Sequence, residues 1–184
     1  GHNVFATSFA PFLTLRSGEQ IRMNLGYMKL NVKAVAIGSG VSMAFLGNSH
    51  YGLEDVAIMR SIPNLTIISP ADCAEIVKVV HAAAKFDGPM YIRLTGGVGN
   101  PPVYTEEYDF EIGKSIVLRK GSDITIFATG SMVYESLEAA KILDNLGISS
   151  TVVNAHTLKP FDYSEVDKAV LSSKTIITVE ESIL

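Results

Sequence analysis

The chain has 184 residues, of which 47% are hydrophobic and only 18% charged, with a formal net charge of −4. That length suits one large domain or two small ones, and the mild negative charge excludes the broad Lys/Arg footprint of a nucleic-acid binder. The single cysteine, Cys73, excludes an intrachain disulfide or a cysteine metal cluster.

So apolar a composition points to buried parallel strands or a large subunit interface. No apolar run approaches the ~18 residues of a membrane span, and GHNVFATSF lacks the basic start and apolar core of a signal peptide. No membrane contact is expected, and cytoplasmic residence is. After a turn at Gly1-His2-Asn3, VFATSF (4–9) reads as a strand. Thr7 or Ser8 is the expected cap of a helix carrying Pro11 near its start, where proline is tolerated. Phe12, Leu15, Ile21, Leu25 and Met28 then recur at roughly helical spacing, interrupted at Gly18.

KAVAIGS (33–39) is a buried strand, Leu53 to Ser61 a short helix and LTIIS (65–69) another strand. Ser69-Pro70-Ala71-Asp72 supplies a cap, a proline at the first helical position and an acid at the third, which predicts a helix over 70–86 with Cys73 packed in its first turn. PMYIRLT (89–95) is the next strand. Residues 96–112 hold three glycines, two prolines and four acids and read as linking sequence. Beyond them come a strand at DITIFATG (123–130), a helix from about Met132 to Leu146 stopped by Gly147, strands SSTVVNA (149–155) and KTIITVE (174–180), and a helix near 163–171 between those two.

Strands alternating with helices predict an α/β protein of two consecutive open, mainly parallel sheet units with helices on both faces. The units are expected at 1–98 and 113–184, joined by a linker over 99–112. A chain that opens directly on a strand and closes on another is expected to be a fragment.

His50 lies among Gly47, Asn48, Ser49 and Gly52, a small-residue loop after a parallel strand, where ligands of open α/β sheets collect. Imidazole suits proton transfer near neutral pH; an ordinary loop histidine is the plainer reading of the local sequence. Phe9 and Phe12, three apart, can share a face as core or as a platform for a flat heteroaromatic ring, with Arg16 nearby. Arg93 stands in the apolar strand Met90-Tyr91-Ile92-Arg93-Leu94 and needs an anionic partner, either a carboxylate or a ligand phosphate. Gly130-Ser131 reads as a structural strand-to-helix turn; His2 and His81 carry no motif.

Read in order, these segments resemble the transketolase family of thiamine-diphosphate enzymes. FATSFAPFLTLRSGEQIRM, SHYGLEDVAIMRSIPNLTIISPADCAE and GPMYIRL resemble its pyrimidine-binding domain. DITIFATGSMVYESLEAAKILDNLGISSTVVNAHTLKPFD resembles its C-terminal domain, down to the N-x-x-x-x-K-P-x-D ending that contains His156. The resemblance implies that His50 faces the substrate above the thiazolium and assists proton transfers, that Phe9 and Phe12 hold the aminopyrimidine ring, and that Arg93 binds the sugar phosphate. Arg16 fits a family arginine if Leu15 is a one-residue insertion. Leu46 and Ser49 depart from the family's aspartate and threonine.

The resemblance further implies transfer of a two-carbon ketol unit between sugar phosphates. A deoxyxylulose-phosphate synthase, condensing pyruvate with glyceraldehyde phosphate, is the alternative within the family, and a non-catalytic assembly module the alternative outside it. An E1-type β subunit and a plain nucleotide-binding domain fit less well. The family's ylid-forming glutamate would fall before Gly1. The diphosphate and Mg²⁺ would be held by an absent domain, in a homodimer or on a partner subunit, so no metal ligand is expected here and the chain alone is expected to be inactive.

Overall fold

The computed structural model describes residues 2–96 and 99–183. Gly1 of the expected opening turn, and Val98 at the expected end of the first unit, lie outside the described residues.

The first sheet has five strands in the order β1-β2-β4-β3-β8: β1 (Val4–Phe9), β2 (Val32–Ser39), β3 (Thr66–Ile68), β4 (Met90–Thr95) and β8 (Thr157–Lys159). The first four run parallel and β8 joins β3 antiparallel. The second sheet, in the order β5-β7-β6-β9, contains β5 (Ile116–Arg119), β6 (Ile124–Ala128), β7 (Ser150–Asn154) and β9 (Thr175–Val179). Only β5 is antiparallel to its neighbour there. Four regular helices connect the strands: α2 (Asp55–Ser61), α3 (Cys73–Lys85), α4 (Met132–Asn145) and α5 (Tyr163–Ser172). The α/β class and the two mainly parallel sheets are those the sequence predicts.

Three local expectations give way. Thr7 and Ser8 cap nothing; they lie inside β1, in register with Val35 and Ala36. The helix that follows is two wide π-helical segments, Phe12–Arg16 and Ile21–Tyr27, flanking the short α1 (Gly18–Gln20). Its Ser17 N–H reaches back to Phe12 O and its Met28 N–H to Met23 O. A wide turn rotates the apolar stripe relative to a 3.6-residue period, so Ile21 and Leu25 are buried while Leu15 and Met28 face outward.

At α3 the cap is Asp72, not Ser69: its carboxylate accepts the Glu75 N–H at 2.8 Å, and Glu75 turns back to accept the Ala71 N–H at 2.7 Å. This shift puts Cys73 at the exposed start of the helix rather than in packing.

Strands β5 and β8 are additions to the predicted set, and β8 matters most. The chain leaves β7 in the second sheet, crosses Ala155-His156 and enters the first sheet, so the two units share a strand. Side chains reinforce the join. Asn154 donates to both oxygens of the buried Glu75 at 3.0 Å, and Asp72 also accepts the Val103 and Tyr104 N–H groups. Lys159 Nζ donates to the Arg60 and Ile62 carbonyls at the end of α2. An apolar cluster of Ala71, Ala128 and Val133 draws on both units.

Candidate active site

Four of the five sequence-selected side chains meet at the C-terminal ends of β1 and β2. Phe9 ends β1 opposite Ile37, and the wide turn after Pro11 swings Phe12 back beside it. The loop 40–54 brings the third ring. It leaves β2 through Gly38 and Gly40, both at positive φ (65° and 68°), and closes on itself where Gly40 and Gly52 exchange N–H···O bonds of 2.9 Å. A Cβ on Gly52 would stand 2.7 Å from that of Ala10 and 3.0 Å from Ser39 Cα, so this closure needs a bare backbone.

Within the loop, a tight turn over Asn48–His50 presents the imidazole. Its centroid lies 5.0 Å from Phe9 and 5.1 Å from Phe12, and the two phenyl rings are 5.8 Å apart at 82°. These are edge-to-face contacts of the favourable kind. The Arg16 guanidinium carbon sits 4.0 Å above the Phe12 ring, a cation–π contact. Ser49 Oγ lies 3.0 Å from His50 Nδ1 and orients the ring. All three rings remain half-buried; a cleft of about 480 Å³ bordered by Ile37, Gly38 and Met43 is otherwise lined from the start of α3 and the end of β4, and none of the three rings lines it.

Arg93 is elsewhere. It is 1% exposed; its Nε donates to Asp55 Oδ2 at 2.8 Å and its Nη2 to the Gly52 carbonyl at 3.2 Å and the Glu181 carbonyl at 2.6 Å. The carboxylate of Asp55 is in place as its partner, and the guanidinium braces the histidine loop from beneath. Tyr91 donates to the same Asp55 oxygen at 2.9 Å. Burial first, and then the Asp55 charge, push the Tyr91 phenol well above its ordinary range, so it stays a donor.

Sequence reading missed Asp55 and Glu181. Asp55 sits in G-L-E-D at a helix start and passes for an ordinary first-turn acid; Glu181 lies just past β9 in V-E-E-S. Nothing local marks either as a partner of Arg93. Leu46, at the place of the family aspartate, ends a short turn and is partly exposed beside the highly exposed Phe45.

The other histidines stay outside this cluster. His156 is enclosed against Phe110 at 4.4 Å with its Nε2 unpartnered, and burial lowers its pKa to about 4. His2 and His81 are exposed. The Gly130 and Ser131 amides are consumed internally, by Ser69 O and Thr95 Oγ1. Among the described residues no group of three His, Cys, Asp or Glu side chains could hold a metal ion, and no helix is long and apolar enough to cross a membrane.

The family model of the transketolase pyrimidine-binding domain matches residues 1–98, and that of the transketolase C-terminal domain matches residues 113–184. The chain is 38% identical over 180 residues to a 6-deoxy-6-sulfo-D-fructose transketolase subunit of Clostridium sp. (strain MSTE9), covering 97% of this chain and 55% of that protein. It is also 38% identical over 170 residues to the 1-deoxy-D-xylulose-5-phosphate synthase of Dictyoglomus turgidum, covering 92% of this chain and 27% of that one. A solved split-gene transketolase, described as an inactive beta4 tetramer, superposes with a TM-score of 0.90 at 40% identity over 99% of this chain and 58% of its own. The chain thus spans about half the length of the subunit-type relatives, and less of the synthase.

Proposed function

The chain belongs to the transketolase family, and from that premise we propose that it forms the pyrimidine side of a thiamine-diphosphate site that transfers a two-carbon ketol unit between sugar phosphates. The observation that carries the reading is the meeting of Phe9, Phe12 and His50 within 6 Å of one another, with Arg16 on the Phe12 ring.

The residues fit the organic part of that cofactor. Two half-buried phenyl rings suit apolar contact with a flat heteroaromatic ring, and Gly38 keeps room beside Phe9: a Cβ there would stand 2.6 Å from Met43 Cγ and 3.2 Å from the Phe9 ring. Mg²⁺ and the diphosphate belong, in this reading, to a second copy or a partner subunit carrying a diphosphate-binding domain, as the family resemblance implies, and this chain is inactive without it. The cofactor supplies the carbanion chemistry; the protein supplies position and electrostatics.

In that division of labour Phe9 and Phe12 hold the ring by apolar contact, and Arg16 stiffens Phe12. His50 donates or accepts a proton at a substrate oxygen, with Ser49 fixing which ring nitrogen faces the substrate. Arg93 is a positioning residue. Gripping a sugar phosphate would oblige it to leave Asp55, and breaking a buried pair costs about 3–5 kcal/mol.

The second reading, condensation of pyruvate with glyceraldehyde phosphate, is supported by the likeness to the Dictyoglomus enzyme. The exposed Leu46 in place of an acid favours a non-catalytic module. One experiment separates the three. The full-length chain is assembled with its partner subunit, thiamine diphosphate and Mg²⁺, then given a ketose phosphate plus an aldose phosphate, or pyruvate plus glyceraldehyde phosphate. We expect ketol transfer, and a His50→Ala variant that binds the cofactor normally but turns over ~10²–10⁴-fold more slowly. Pyruvate consumption with CO₂ release supports the second reading. No turnover on either pair supports the module, and an undiminished His50→Ala enzyme overturns the assignment of His50.

A further inference from the structure

The loop that presents His50 has little packing of its own. Val41, Ala44, Phe45, Leu46, Asn48 and Ser49 are exposed, Phe45 at 81%, so beyond its contacts with Phe9 and Phe12 the geometry of the imidazole depends on how the loop is anchored at its base. Part of that anchor is the Gly40–Gly52 pair. Arg93, on β4, holds the Gly52 carbonyl, and a further part comes from the far end of the second unit.

Past β9, residues 181–183 run under the loop and bond to both of its arms. Glu181 Oε1 accepts the Val41 N–H at 2.8 Å on the outgoing arm; the Ile183 N–H donates to Leu53 O at 3.0 Å on the returning one. Glu181 Oε2 accepts Ser131 Oγ–H at 3.0 Å, which ties the same carboxylate to the start of α4. Its carbonyl accepts from Arg93 at 2.6 Å, and Arg93 also holds Gly52 O and Asp55. The fit is close: a Cβ on Gly40 would fall 2.3–2.6 Å from the Glu181 carboxylate, so glycine there is what admits it.

We propose that Glu181 is a positioning residue for His50: its carboxylate bridges the second sheet unit to the histidine loop, so that the C-terminal unit sets the geometry of the reactive cluster. Each carboxylate oxygen serves one unit, and losing the side chain releases both bonds at once. The Ile183 N–H bond to Leu53 O and the Arg93 side-chain bond to the Glu181 carbonyl remain, so the loop loosens without the fold dissolving. Displacements of about an ångström at a reacting group cost up to ~10²-fold in rate. The kinetic consequence rests on the reading of His50 given above; the structural one does not.

The test uses the full-length chain in its assembled, cofactor-loaded form, with Glu181→Ala, Glu181→Gln, His50→Ala and the Glu181→Ala/His50→Ala pair. Glutamine preserves the geometry, because its amide oxygen accepts from Val41 and its amide nitrogen donates to Ser131. Hydrogen exchange is read on peptides from the loop 40–54 and from α3, and kcat and KM are read separately. We expect Glu181→Ala to speed exchange in the loop at least tenfold with α3 unchanged. It should lower kcat about 10- to 100-fold with KM within threefold, and it should add less than twofold to the loss in the His50→Ala background. Glu181→Gln should restore both readouts to within threefold of the parent.

Unchanged loop exchange in Glu181→Ala, or equal exchange in the Ala and Gln variants, overturns the proposal. So does a Glu181→Ala loss that is undiminished in the His50→Ala background when His50→Ala alone is impaired. If His50→Ala is fully active while Glu181→Ala still loosens the loop selectively, the reading of His50 falls and the bridge from the second unit to the loop stands.

Discussion

Replacing Asp55 with alanine removes the carboxylate that Arg93 Nε and the Tyr91 hydroxyl share. It also removes the oxygen that accepts the Val56 N–H at 2.9 Å in the first turn of α2. Both members of the Arg93–Asp55 pair are enclosed, at 1% and 0% side-chain exposure, so water cannot take the place of the lost acceptor. Breaking a buried pair from one side costs about 3–5 kcal/mol. For 184 residues the whole unfolding free energy is on the order of 9–28 kcal/mol, so this one change consumes a large share. At 2–4 °C per kcal/mol for a chain of this size, the melting temperature should fall by roughly 6–20 °C. The measurement is urea unfolding of the full-length protein followed by circular dichroism, with calorimetry alongside. The double variant Asp55→Leu/Arg93→Met is the control: replacing both partners by apolar groups of similar bulk is far milder than stranding one, so it should recover part of the loss, the rest reflecting the Tyr91 hydroxyl left without its acceptor. A single variant that loses less than about 1 kcal/mol, or a double variant no better than the single, refutes the claim that Arg93 is a structural cation held by Asp55.

Gly52→Ala should destabilise the protein by about 1–3 kcal/mol, because its methyl would overlap Ala10 and the Ser39 backbone; differential scanning calorimetry reads this, and a neutral variant would mean the loop closure is slack. For His156, burial lowers the folded pKa to about 4 against an ordinary ~6.5. The unfolded chain therefore binds more protons between those values, and this contribution is whole above pH 6.5 and lost as pH falls towards 4, by up to about 3 kcal/mol. Glu75 acts in the opposite sense, since burial raises its carboxyl and makes its ionised form the costly one. Urea midpoints from pH 7 to 4.5 should thus fall less steeply in His156→Gln than in the parent, and parallel curves would contradict the assignment.

The sequence by itself determined what depends on residues a few places apart. Alternation of apolar runs with helical stretches is enough to give two mainly parallel sheets, and Gly147, at a φ of 74°, stops α4 where a helix-terminating glycine should. Phe9, Phe12 and Arg16 meet even though the helix around them is wider than expected, because they lie so near each other along the chain that any compact turn after Pro11 joins them. His50 belongs with them because a loop after β2 must emerge beside the end of β1 in a parallel sheet.

What only the tertiary structure decided are the pairings across long separations. Arg93 could take a carboxylate or a phosphate, and its partner, Asp55, stands 38 residues away. Glu181 and Val41 are 140 residues apart. Strand β8, at three residues, is too short to carry an alternation signal, and it enters the first sheet because β3 offers a free edge there. Local pattern records how a residue prefers to be buried. Which distant group satisfies a buried charge or an open strand edge is decided when the chain closes, since partners are chosen by proximity in the folded state and leave no periodicity behind.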